Sequence, residues 1–273
     1  MAEGQYKTAA NLNARWDLYK FCSPPIDIYK KAFGYLKLTG NEKILEVGCG
    51  DGSVLLSLRE EMDHQGELTG LEINNTITKP TDNYLSAHPR IKKIKFLIGS
   101  ADNLTGFRNN SLDVILAFFM LYHMDDIPKT LHEWSRVMGF RGKLVVSTSS
   151  QFNRPQGKGL KLKMAAMMGA KTQAKFSEPF NLENGQSRLG QVFSVTKKVE
   201  CESEIRITDP EVYLRSLDST RDMYDPLPSD KTWQLARAYA QKTIQDEIND
   251  KGYFADPVKR GYFICEQVFL ERQ

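Results

Sequence analysis

"ILEVGCGDGS", residues 44–53, interleaves three apolar residues with one carboxylate and then places three glycines within five positions. Strand interiors seldom carry a carboxylate, and glycine is costly unless the backbone must bend sharply or be approached closely. The stretch therefore predicts a buried strand that opens directly into a ligand-binding loop. Outward from it, Lys43 to Ser149 alternates apolar runs with helical segments, the signature of parallel βαβ units. Strands are expected over Lys43–Val47, Glu67–Glu72, Ile94–Ile98, Leu112–Ala117 and Gly142–Ser147, with helices near Ser53–Met62, Thr81–Ala87 and Ile127–Val137. Gly66 and Gly139 fall where helix C-termini need a left-handed residue.

Three nucleotide-like readings compete for the glycine loop. A phosphate-binding G-x-x-x-x-G-K-[ST] loop fails because no lysine follows. A dinucleotide G-x-G-x-x-G is matched by Gly48 and Gly50, but its third place is Ser53 and Gly52 comes one residue early. Glu46, two residues before the first glycine, suits a cofactor with a free ammonium, which points to S-adenosylmethionine. Glu72 ends the second strand 22 residues beyond Gly50, where an acid accepts from ribose hydroxyls. In "LIGSADNL", Asp102 can accept from an adenine amino group while the Ala101 backbone binds a ring nitrogen. Three acids at successive strand ends thus share the carboxyl edge of the sheet, where ligands bind in open α/β folds.

With "LEIN", "GSADNL", "NNSLDVILAFFMLYHMDD" and "LHEWSRVMGFRGKLVVST" following in order, the chain resembles the class I S-adenosylmethionine-dependent methyltransferases over roughly Asn41 to Ser149. "NLNARWDLY" and "FNLENGQSRLGQVF" are similar, less specifically, to bacterial small-molecule methyltransferases. One departure is the turn Phe140-Arg141-Gly142-Lys143, which lacks the family's proline. The resemblance implies an α/β, Rossmann-like seven-stranded mostly parallel sheet, its last strand antiparallel, with helices on both faces and a helical lid insertion. It implies S-adenosylmethionine as cofactor and S-adenosylhomocysteine as product, and it adds the loop neighbours Cys49, Ile73 and Asn103 to the cofactor set.

Each candidate also has a plainer reading. Asp51 contacts the cofactor or caps the following helix. Asp102 meets adenine or forms an Asx-type turn. In "AFFMLYHM" most residues read as packing, yet Phe118 lies where an aromatic face attracts the sulfonium by about 0.5–2 kcal/mol. His123, with Tyr122, is a general base for the acceptor or a hydrogen-bonded structural histidine. Asp125 and Asp126 read as a helix N-cap rather than a metal site. Arg15 could pair with the cofactor carboxylate, and Tyr6 could close over the site; each could equally be a surface residue.

The 273 residues carry a net charge of +3, too small to imply nucleic acid by itself. Cys22, Cys49, Cys201 and Cys265 are scattered and suggest neither zinc nor disulfides. No signal peptide or transmembrane run is read, so the expectation is a cytoplasmic enzyme, monomer or homodimer, acting on a small molecule. After Ser150 the rhythm changes. Arg154–Lys175 is basic and reads as a solvated lid, although an acidic substrate or a membrane surface is an alternative. Two β-like runs, Thr196–Ile207 and Gly261–Leu270, frame a largely helical insert over Asp209–Asp250. A single domain is expected: an N-terminal cap to residue 40, a cofactor-binding core over 41–150, substrate-side segments at 151–195 and 209–258, and the last two strands at 196–208 and 259–273.

Overall fold

A computed structural model describes residues 14–74, 94–172 and 178–267. The expected helix at Thr81–Ala87 lies outside the described residues. In chain order the elements are β1 (Cys22–Ser23), α1 (Ile28–Leu36), β2 (Ile44–Val47), α2 (Ser53–Glu61), β3 (Leu68–Glu72), β4 (Ile94–Ile98), β5 (Leu112–Phe118), α3 (Ile127–Val137) and β6 (Met138–Ser149). There follow α4 (Pro155–Met168), β7 (Lys171–Thr172), α5 (Gly185–Leu189), β8 (Phe193–Ile207), α6 (Pro210–Asp218), β9 (Tyr224–Asp225), α7 (Asp230–Lys251) and β10 (Phe254–Gln267).

One sheet runs β1-β8-β10-β6-β5-β2-β3-β4. Strands β2 to β6 pair in parallel, and β10 runs antiparallel to both β6 and β8. The seven expected strands are present; the eighth is the two-residue β1, antiparallel to the outer side of β8. From β2 the chain builds outward through β3 and β4, then returns to place β5 and β6 on the other side. The strand order thus reverses between β2 and β5, and ligands in open α/β sheets bind in the crevice at the carboxyl end of such a switch point.

Alternation along β2 feeds both faces. Leu45 and Val47 join a core with Trp134 and Phe263, while Ile44 joins a second with Phe33 and Leu55. Glu46 therefore shares the face of Ile44, at 2% exposure. A third core joins α4 to α7 through Met164, Trp233 and Ala236. The basic stretch is consequently not a solvated run from its first residue: Arg154 pairs with fully buried Asp256 at 3.2 Å.

Gly66 and Gly139 differ from expectation, because neither adopts a positive φ. A Cβ on Gly66 would stand 2.2 Å from the Glu42 carbonyl, and one on Gly139 3.3 Å from that of Leu112. Close backbone approach, not helix termination, requires them. Strand β10 begins at Phe254, seven residues earlier than Gly261; Asp256 and Arg260 occupy buried positions in it and hide the apolar alternation from the sequence. The four cysteines are buried and free, and no helix among the described residues is long and apolar enough to cross a membrane.

Candidate functional site

A cavity of about 760 Å³ opens at the carboxyl ends of β2 to β5. Gly48, with φ 67°, forms part of its wall, and a Cβ there would stand 2.9 Å from the Met120 Cβ. The glycines of the loop, Gly48, Gly50 and Gly52, all have positive φ, so the bend itself requires them. Gly70 lets Cys49 pack over β3, since a Cβ on Gly70 would reach 2.6 Å from the Cys49 Sγ. Burial then pushes the Cys49 thiol far up, and Cys49 is not among the residues that line the cavity.

The acids behave differently from one another. Glu46 lies behind the cavity wall, and its Oε2 is buried without a hydrogen-bond partner. Burial, with Asp51 and Glu72 adding their negative charge, holds its carboxyl well above the usual carboxylate range. Glu72 lines the cavity. Its Oε2 accepts from the Gly50 N–H at 3.1 Å, and its Oε1 accepts from those of Ile73 at 3.0 Å and Asn74 at 3.1 Å. The carboxylate therefore shapes two loops besides facing the cavity. Asp51 accepts from the Ser53 N–H at 3.0 Å in an Asx-type turn, while the N-cap position of α2 is Gly52. Asn103 forms an Asx turn, accepting from Thr105 N–H at 3.3 Å, while Asp102 lines the cavity.

Helix α3 fixes the loop that carries Asp102. Asp126 N-caps it by accepting from the Lys129 N–H at 2.9 Å. Trp134 Nε1 donates to the Ala101 carbonyl at 2.7 Å, and Glu133 Oε1 accepts from the Leu104 N–H at 2.8 Å. Arg136 donates to the Leu104 carbonyl at 3.0 Å and, through its ion pair, holds the Glu133 carboxyl low.

The opposite wall is aromatic. Phe118 meets Tyr29 edge-on at 4.8 Å. Phe119, a bulky residue at φ 53°, is a backbone outlier of the kind that collects at functional sites. Its N–H donates to the Ser147 Oγ at 3.0 Å. Tyr122 and His123 line the cavity, their rings 4.5 Å apart. Burial first, and the Arg15 charge second, lower the His123 pKa to about 4. Between pH 6.5 and 4 the unfolded chain therefore binds a proton that the folded chain refuses, so stability falls as pH drops through that window, by roughly 3 kcal/mol in all. An imidazole titration followed by NMR is expected to show a midpoint below 5; a midpoint near 6.5 would overturn the assignment of neutral His123.

Of the residues expected from sequence, Gly48, Glu72, Ile73, Ala101, Asp102, Phe118, Arg15, Tyr122 and His123 line the cavity. Glu46, Cys49, Gly50, Asp51 and Asn103 are not part of its lining, and Tyr6 lies outside the described residues. Arg15 donates from Nε and Nη2 to Ser219, its Oγ at 3.1 Å and its carbonyl at 2.6 Å. Sequence reading missed Trp16, Tyr19, Met120, Ser149 and Arg260 as site residues. Phe119 and Met120 sat inside a quoted motif and were legible as neighbours; Arg260 gave no signal in "PVKRGYF". Among the described residues, none between 151 and 258 lines the cavity; the insert reaches it through Arg15. No group of three or more His, Cys, Asp or Glu among the described residues is placed to hold a metal.

Residues 38–216 match the family model described as a methyltransferase domain. The chain belongs to this methyltransferase family. It is a class I member, and S-adenosylmethionine is its cofactor. A demethylmenaquinone methyltransferase of Lactobacillus johnsonii is 27% identical over 126 residues, 46% of this chain and 51% of that protein. The chain thus spans about half the length of the curated relatives it matches. Two solved structures share the fold at low identity. The YcgJ protein of Bacillus subtilis has a TM-score of 0.59 at 14% identity, covering 89% of this chain and 98% of that one. A SAM dependent methyltransferase from Aquifex aeolicus has 0.53 at 12%, covering 88% and 89%.

Proposed function

We propose that the protein transfers the methyl group of S-adenosylmethionine to a nitrogen or oxygen of a small-molecule acceptor. The observation that carries this reading is one continuous cavity with a glycine bend and two acids on one wall and a neutral histidine and aromatic rings on the other. The chain's own groups fit the cofactor. The positive φ of Gly48 lets the backbone bend at the cavity wall, and the partnerless Glu46 Oε2 suits an ammonium donor. Glu72 would hold the ribose hydroxyls, Asp102 the adenine amino group, and the Ala101 N–H a ring nitrogen. Phe118 would face the cationic end, and Arg15, positioned by Ser219, would take the cofactor carboxylate. Residues 41–150 then form the cofactor-binding core, and of the described later residues Arg260 on β10 reaches the cavity.

The bound cofactor supplies a methyl group already activated on a sulfonium, so the protein has mainly to orient the acceptor and exclude water. His123, neutral at physiological pH, can accept the acceptor's proton, with Tyr122 beside it. A second reading is a ring acceptor related to demethylmenaquinone, favoured by the name of the relatives and by the apolar wall of Phe118, Phe119, Met120 and Met124. A non-catalytic cofactor-binding subunit, and a methyltransferase for protein or RNA, are the other classes the test separates.

Calorimetry on the purified chain is expected to detect S-adenosylmethionine and S-adenosylhomocysteine but not NADH. Incubation with a panel of amines, phenols and quinols should yield S-adenosylhomocysteine above background. Binding of NADH alone sinks the reading; cofactor binding with no turnover on any panel member favours the non-catalytic subunit.

A further inference from the structure

Arg15 and Arg260 line the cavity, and Arg154 stands near them outside its lining; Arg15 and Arg154 have hydrogen-bond partners. Arg15 donates to Ser219, and Arg154 pairs with Asp256 and donates to the Tyr213 hydroxyl at 2.9 Å. Arg260 differs. It is 9% exposed, lines the cavity, and has a buried Nε with no partner. Among the described residues its guanidinium makes no ion pair and donates no hydrogen bond. Its contacts are ring faces: Phe119 at 3.8 Å and Tyr19 at 3.9 Å, with Trp16 at 5.9 Å.

Stacking between two rings holds the planar fork in one orientation and contributes about 0.5–2 kcal/mol. It does not replace the hydrogen bonds that the guanidinium lost on leaving water, and a buried charge without a counter-ion is strongly disfavoured. A planar donor pre-oriented beside an open cavity matches a carboxylate, which it can bind through two parallel hydrogen bonds. Position decides which carboxylate. Arg260 sits on β10, separated from β2 by β5 and β6. At roughly 4.8 Å per strand interval its backbone stands about 14 Å from that of the glycine loop, and its guanidinium rests on Phe119, Tyr19 and Trp16 rather than on Glu72 or Asp102. This is the side of the cavity we assign to the acceptor.

We propose that Arg260, clamped between Tyr19 and Phe119, is the acceptor-binding residue for a carboxylate, so that the physiological acceptor is a small organic acid with an apolar or aromatic body. The inference rests on the methyltransferase reading above and narrows its substrate class. Tyr19, Phe119 and Trp16 give the body of such an acid a surface to lie on, and Arg260 fixes its end. Arg260 is a binding residue here and moves no proton.

The test uses the full chain saturated with S-adenosylhomocysteine and matched pairs of aryl and alkyl carboxylic acids with their carboxamides, each titrated by calorimetry. Wild type is expected to bind several acids at least tenfold more tightly than the paired amides. Arg260→Gln should remove that preference, and Arg260→Lys, which keeps the charge without the fork, should retain only part of it. S-adenosylhomocysteine affinity, measured in the same samples, should stay within about threefold in both variants. An acid–amide preference absent from wild type overturns the proposal without needing a variant, as does a preference that survives in folded Arg260→Gln. Failure of wild type to bind S-adenosylhomocysteine would instead remove the methyltransferase reading beneath it.

Discussion

Replacing Glu72 with alanine is expected to weaken S-adenosylmethionine binding at least tenfold and to lower the melting temperature of the free protein. The carboxylate has two tasks. It accepts three backbone N–H groups, from Gly50, Ile73 and Asn74, and so ties the glycine bend to the turn after β3. Its remaining acceptor capacity faces the cavity, where the ribose would lie. Hydrogen bonds to a charged group contribute about 1.5–3 kcal/mol each, so losing a single ribose contact already corresponds to a factor of ten or more. The two tasks separate in a double-mutant cycle with adenosine and its 2′,3′-dideoxy analogue. If Glu72 holds the ribose, wild type prefers adenosine and the alanine variant does not discriminate. Unchanged cofactor binding would refute the ribose role.

How much of this was legible depends on which physical signal each residue carries. Periodicity placed β2 to β5 within a residue of their observed ends, most plainly in β5, where residues 114–118 form an unbroken buried apolar run. The glycine bend was legible because only close approach or left-handed backbone explains three glycines there. Whether Asp51 caps a helix was not, since capping and ligand contact ask for the same residue type; the N-cap position falls to Gly52, and Asp51, one residue earlier, accepts from the Ser53 N–H. Strand β10 was half hidden because Asp256 and Arg260 hold buried positions, and their partners, Arg154 and the ring of Tyr19, come from distant parts of the chain. A guanidinium stacked on Tyr19 and Phe119, both more than a hundred residues earlier in the chain, leaves no local pattern. That is also why the acceptor side of the cavity could not be read: its wall is drawn from residues 15–19 and from β10, which only the folded sheet brings together.

Exchange of Glu46 for glutamine should move stability and affinity in opposite directions. In the free protein the Glu46 carboxyl is buried at 2% exposure, near the negative charges of Asp51 and Glu72, and its pKa is raised well above the ordinary value. The unfolded chain ionises near pH 4.3, the folded one only at higher pH. Above pH 4.3 the unfolded state thus binds fewer protons, and stability declines as pH rises until the folded group also ionises. Glutamine keeps the shape and removes the titration. The variant is therefore expected to melt above wild type at pH 7 to 8 by several degrees, with the gap closing toward pH 4. Cofactor binding reverses the order, because a cationic ammonium beside Glu46 favours the ionised carboxylate and the glutamine offers no charge. Affinity for S-adenosylmethionine should fall at least tenfold. Below the raised midpoint of Glu46 wild type should also release a proton on binding, visible as a dependence of the calorimetric heat on the ionisation enthalpy of the buffer, and the variant should not. If the glutamine protein binds as tightly as wild type, or if both show the same proton release, Glu46 does not hold the ammonium and the strand-borne carboxylate is a structural feature of the bend.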